Sequence, residues 1–164
     1  MGSTRRDFIR QSSVSLAAAA VAGSVFSRLL PAEQAQAAEK PKKGDSKMAA
    51  TQAFVKAAYH CIETGELCVA HCSKELAEGN AEMAKCNVSV QSMMAVCSAA
   101  ARLVALGSSQ AKKAVELCAA VCKECAESCE EHKAHFGHGM HLDCKACMEA
   151  CRDMEKACKA WLSA

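Results

Sequence analysis

Proline and aromatic residues are scarce: two prolines, one tryptophan, one tyrosine and four phenylalanines in 164 residues. Beside abundant Ala, Glu, Lys, Met and Leu, that scarcity leaves no basis for an aromatic-centred β architecture and points to a mostly helical single domain. Excess charge is also missing. The formal net charge is +2, and the N-terminal segment holds four arginines (Arg5, Arg6, Arg10, Arg28) against Asp7 and Glu33. Taking these from the 20 basic and 18 acidic residues leaves 16 of each, a nearly neutral remainder. It has no basic footprint for nucleic acid or anionic lipid. No general base paired with a nucleophile and no phosphate-binding loop is visible, which argues against an enzyme. The apolar run near the N-terminus, about Val14 to Val25, is interrupted after that by Arg28 and falls short of the roughly 20 residues that span a bilayer.

That N-terminal run does read as an export signal. Ser3-Thr4-Arg5-Arg6-Asp7-Phe8-Ile9-Arg10 has the paired arginines of a twin-arginine signal, and Ala35-Gln36-Ala37 supplies small residues where a signal peptidase reads. The expectation is a cleaved segment 1–37, a flexible linker 38–46 containing Pro41 and Gly44, and a domain 47–164 delivered to the periplasm or beyond, with no membrane attachment of the mature form. The route carries folded proteins, so thiols would fold in the reducing cytoplasm before meeting an oxidising compartment.

Against these scarcities stands one abundance, thirteen cysteines. Cys118, Cys122, Cys125 and Cys129 are spaced four, three and four; Cys144, Cys147, Cys151 and Cys158 are spaced three, four and seven, with Met154 and Trp161 continuing the row. At about 100° per residue these steps return to one helix face. Upstream, Phe54, Ala58, Cys61, Gly65, Cys68, Cys72 and Leu76 make a similar stripe, closed by Gly79-Asn80. A further helix over about 81–106 carries Met83, Cys86, Val90, Met93, Cys97 and Val104, and Gly107-Ser108-Ser109 breaks it, with Ser108 or Ser109 as the next cap. Tight connections favour antiparallel neighbours. The fold predicted is all-α, an antiparallel four-helix bundle with a cysteine-lined core.

Four chemistries compete for such a core. Cysteine as a small hydrophobe explains one or two positions but not thirteen. Disulfides suit small loop-rich exported folds, yet same-face helical neighbours hold their Cβ atoms about 5–6 Å apart, wider than a disulfide prefers. Zinc is invited by Cys122-x-x-Cys125 and Cys144-x-x-Cys147, although each pair lies inside a longer helical ladder and a single four-sulfur site leaves nine cysteines over. Cu(I), a soft monovalent ion content with two or three sulfurs, suits facing rows of thiolates, and one ion per thiolate leaves the core neutral.

His60-Cys61-x-x-x-Gly65-Glu66-x-Cys68, His71-Cys72, the wide Cys86–Cys97 gap and Cys144-x-x-Cys147-x-x-x-Cys151 together resemble the cysteine-rich copper storage proteins over essentially the whole of 47–164. The twin-arginine motif is similar to that of the exported branch. The resemblance implies a homotetramer of four-helix bundles, not an enzyme, holding Cu(I) mainly on cysteine, with His and Met ligands near one end. A copper-requiring acceptor protein would be a further partner. The reading that competes is a zinc protein, or a copper electron-transfer or redox protein with a single defined centre. The expected metal ligands are Cys61, Cys68, Cys72, Cys86, Cys97, Cys118, Cys122, Cys125, Cys129, Cys144, Cys147, Cys151 and Cys158. Up-down topology adds His71 and Met83 as a mouth, helped by the His-rich 131–141 connection that shares that end. Within that connection His132, His135, His138 and His141 read as a solvated polar loop, His60 as an outer residue, and Met93, Met94, Met148 and Met154 as packing.

Overall fold

The computed structural model describes residues 43–139 and 141–164, with the backbone alone at Lys43, Gly137 and His138. The twin-arginine segment, the Ala37 cut and most of the expected linker lie outside these residues. Helix α1 spans Lys43–Ala77, α2 Met83–Ala105, α3 Ala111–Glu130 and α4 Leu142–Ser163, with a 3-10 turn at Lys133–His138. The first helix therefore starts inside the stretch 38–46, where composition led us to expect a flexible linker. Asp45 sits in its first turn, where a carboxylate complements the helix dipole.

Two glycines end helices as expected. Gly79 and Gly107 have φ of 93° and 61°, the left-handed region that costs glycine nothing. At the first, Asn80 N–H donates to the Glu75 carbonyl at 3.0 Å and Gly79 N–H to Leu76 at 3.1 Å. Ser108 N–H to Leu103 and Gly107 N–H to Val104 repeat the same Schellman pattern, so both connections turn within a few residues. The third helix begins slightly later than the serines imply. Gln110 is its N-cap without a side-chain bond, and Ser108 contributes by accepting Gln110 N–H at 3.2 Å.

α1 packs against α2 and α4, and α3 against the same two, which makes a four-membered ring of helices. Neighbours run in opposite senses: Cys86 near the start of α2 meets Cys129 near the end of α3, while Cys97 further along α2 meets Cys118. Every cysteine is buried between the helices, along with Met83, Met93, Met154, Val90 and Val115. Burying a Phe, Met or Val side chain contributes about 1.5–3 kcal/mol, so these residues give the bundle a core of its own beside the sulfur.

One end is closed by aromatic packing. Phe54 and Trp161 lie with ring centroids 6.3 Å apart, and Trp161 Nε1 donates to Thr51 Oγ1 at 3.1 Å. Lys47 Nζ sits 3.5 Å from the indole centroid and donates to the Trp161 carbonyl at 2.6 Å. The first turns of α1 thereby fasten the last turn of α4. Midway along, Gly65 is required by close approach, because a Cβ there would stand 2.7 Å from Met94 Cγ and 2.8 Å from its sulfur.

Candidate metal centre

All thirteen cysteines are free, and all are completely buried. Successive levels of the bundle bring them into groups. Near the Phe54 end, Cys97 Sγ lies 3.5 Å from Cys118 and 3.6 Å from Cys122, and Cys61 joins Cys97 and Cys122 with all three sulfurs within 4.8 Å of one another. Cys158 is close enough to Cys118 to share a hydrogen bond. In the middle, Cys125 and Cys147 are 3.8 Å apart, with Cys151 completing a trio. Towards the other end Cys68 is 4.0 Å from Cys72, 4.0 Å from Cys86 and 3.7 Å from Cys144, while Cys86 lies 3.5 Å from Cys129. Cys68, Cys129 and Cys147 form a further trio that links this group to the middle one. Helical spacing allows pairs three or four apart to pinch one ion each, with facing helices supplying other sites. Among the sulfur pairs within 4.0 Å only Cys68–Cys72 lies within a helix and the others join two helices, while Cys147 and Cys151 of α4 meet within the trio that Cys125 completes.

The zinc-ribbon spacing dissolves in three dimensions. Cys122 belongs with Cys61 and Cys97, Cys125 with Cys147 and Cys151, and Cys144 with Cys68, Cys72 and Cys86. The two CxxC pairs thus feed three different groups. A helix interior turns successive thiols along the axis rather than towards one point, so the pairs cannot converge as they do at a knuckle.

Protonation follows from burial and from sulfur neighbours. The Cys158 thiol is pushed up by its hydrogen bond with Cys118 and by desolvation. Cys68, Cys122 and Cys151 are pushed up chiefly by bonds with Cys129, Cys118 and Cys122 respectively. Cys61, Cys86 and Cys147 are drawn down, mainly by Cys122, Cys129 and Cys125, which donate to them. No Lys or Arg is buried among the described residues. A metal-free thiolate here would be an uncompensated buried anion, so a bound cation is what would stabilise the deprotonated sulfurs.

At the end away from Phe54, the connection predicted to be solvated folds back over the bundle. His132 and His141 are buried. The 3-10 turn and Gly139, in the left-handed region with φ of 74°, carry the chain round, and His141 itself takes φ of 53° as N-cap of α4. Its ring lies 4.8 Å from that of His71, 5.6 Å from His132 and 5.4 Å from His135, centroid to centroid. His71 Nε2 and His141 Nδ1 are 2.6 Å apart, so one nitrogen carries the proton and donates it to the other. Burial, helped by His71, lowers the pKa of His141 below the ordinary imidazole value. His71, His141 and Cys144 form a mixed nitrogen and sulfur group. An open cavity of about 350 Å³ lined by His71, Glu75, Gly139, His141, Leu142 and Asp143 gives it access to solvent.

His71 is thus where topology put it, and its partner is a residue sequence reasoning assigned to a loop. No periodic signal marks His141; only its position immediately before the Cys144 ladder could have singled it out. Met83 is buried in the core and does not line the cavity. His60 is exposed, with Nδ1 3.7 Å from Glu63.

These features recur in known proteins. A family model described as copper storage protein matches residues 47–163. The fold is similar to that of a cytosolic copper storage protein from Streptomyces lividans, solved during copper loading with five coppers, at a TM-score of 0.63 and 26% identity, covering 74% of this chain and 98% of that one. A structure of the Streptomyces lividans protein loaded with 10 copper equivalents gives a TM-score of 0.63 and 25% identity, covering 77% of this chain and 93% of that one. No curated protein matches the chain significantly. With the family model spanning all four helices and every cysteine, the chain belongs to the copper storage protein family.

Proposed function

We propose that the protein stores about one Cu(I) per core cysteine in the sulfur column, admits the ions past His71 and His141, and releases them to a copper-requiring acceptor. The observation that carries the reading is the continuity of the thiol groups: Cys68 belongs both to the outer group and to the trio with Cys129 and Cys147, Cys147 belongs also to the trio with Cys125 and Cys151, and Cys151 in turn acts on Cys61 of the third group, so an ion can pass from one group to the next. Thiolate binding neutralises each entering charge, and bridging sulfurs let the column fill without accumulating buried anions. Imidazole holds Cu(I) more weakly than thiolate, which suits a relay at the opening. Capacity spread along the axis supports a store rather than a catalyst, since a redox enzyme needs one constellation with an open position.

Anaerobic titration of reduced protein against a chromogenic Cu(I) chelator tests the capacity, which should approach the number of cysteines. Saturation at one or two ions would defeat the storage reading. Cys68, Cys72, Cys86 and Cys144 form a four-sulfur group that could also attract zinc, so the titration is repeated with zinc present. Copper should still fill the column.

The assembly is read as a homotetramer and the location as the periplasm or beyond. Arg5-Arg6, the apolar segment and Ala35-Gln36-Ala37 support export by the twin-arginine route. Replacing both arginines by lysine should leave the protein in the cytoplasm on cell fractionation; undiminished export would mean another route.

A further inference from the structure

The opening above the sulfur column offers donors unlike the column's own. Glu75 and Asp143 line the cavity beside His71 and His141, and among the described residues no lysine or arginine does. Lys74 and Lys145, close to them in sequence, pair with Glu78 and Glu149 instead. His71 and Glu75 lie four apart on α1 and so share a face. Asn80 Nδ2 donates to Glu75 Oε2 at 3.1 Å, which holds the carboxylate in place. Two carboxylates without a resident cation attract a positive ion to this end.

The imidazoles stand at ligand spacing. A tetrahedral ion that holds imidazole nitrogens at about 2.0–2.1 Å sets the ring centroids about 5 Å apart. The His141 ring lies 4.8 Å from His71, 5.4 Å from His135 and 5.6 Å from His132. His71 Nε2 and His141 Nδ1 already face each other across a single proton at 2.6 Å. To replace that proton with a metal ion the two nitrogens part by roughly 0.8 Å.

We infer that this end binds one borderline divalent cation, of the Zn(II) class, on His71, His141 and Glu75, with the His132 and His135 rings beside them, and that the ion locks copper into the filled column. The inference rests on the storage reading above. Imidazole and carboxylate suit a borderline divalent ion, whereas a soft monovalent ion passes on to sulfur. Cys144 Sγ lies within 4.8 Å of the His71 and His141 nitrogens. In a filled store that sulfur is committed to copper, which leaves the nitrogen and oxygen donors to the second metal. An ion seated there occupies the nitrogens past which copper moves, so it alters the rates of loading and release and not the capacity.

Full-length protein is loaded with Cu(I) anaerobically, its copper content is measured, and it is then titrated with zinc against a metallochromic indicator. About one zinc per chain should bind without expelling copper. At zinc about ten times its dissociation constant roughly a tenth of the chains are unlocked, so withdrawal of copper by a chelator selective for Cu(I) should slow about tenfold. His71→Ala, His141→Ala and the isosteric Glu75→Gln should each weaken zinc binding by about tenfold or more. Each variant, compared with itself with and without zinc, should lose the slowing. No zinc bound by the loaded chain, copper expelled as zinc enters, zinc bound with release unslowed, or slowing that survives in all three variants would each overturn the lock, while the measured copper content leaves the storage reading standing. A protein that takes up one or two coppers at the outset would overturn both.

Discussion

At the scale of single residues, the protein's chemistry is a question of where protons sit. Cys158 shows the sense: its hydrogen bond with Cys118 and its burial hold the folded thiol above the ordinary value of 9.0. A folded pKa raised in this way adds stability in full below about pH 9, where folded and unfolded thiols are both protonated. The contribution disappears as pH rises beyond that, because the unfolded chain ionises first. The groups drawn down, Cys61, Cys86 and Cys147, do not reverse the sign, since ionising any of them would strand an anion far from a buried cation. The melting temperature of reduced, copper-free protein should therefore hold steady from pH 7 to 8.5 and fall by several degrees by pH 10, followed by circular dichroism. Copper-loaded protein, with its protons already displaced, should show a much smaller fall. A metal-free melting temperature that climbed with pH would mean that thiolates, not thiols, fill the empty core.

At the scale of elements, the stripes of three, four and seven made the four helices legible, since a helix is a local object whose period is written in consecutive residues. Gly79 and Gly107 made two of its turns legible for the same reason. The grouping of sulfurs was less so: Cys122 and Cys125 are three apart in sequence yet serve different groups, because the facing helices decide which sulfur meets which. Least legible was the 131–141 connection, where polar composition spoke for solvent. His132 and His141 are buried because left-handed turns at Gly139 and His141 fold them onto the end of the bundle, while His135 stays exposed, a tertiary outcome with no periodic trace. The gate prediction changes accordingly, with His141 replacing Met83 as the partner of His71. His71→Ala combined with His141→Ala should slow copper loading in stopped-flow measurements by about tenfold, with capacity falling by no more than about one ion. A change in Met83 alone should leave the loading rate nearly untouched. Capacity falling by several ions in the histidine variant would place the pair within the store.

At the scale of the molecule, the two ends of the bundle are unlike. Imidazoles and a solvent-facing cavity occupy one. Phe54, Trp161 and the Lys47 ammonium packed on the indole occupy the other, and the Lys47 bond to the Trp161 carbonyl ties the two chain ends of the bundle together there. A column stoppered at its base and open at its histidine end keeps a history. Copper-63 supplied first should migrate down to Cys118 and Cys158, and copper-65 supplied later should rest near Cys72 and Cys144. On slow withdrawal by a chelator, mass spectrometry should find the heavier isotope leaving first. Release of both isotopes in their loaded proportion from the outset would show that the ions exchange places inside faster than they leave. Opening the stopper with Trp161→Ala should blur the order in the same way, turning a dead-end shaft into a passage.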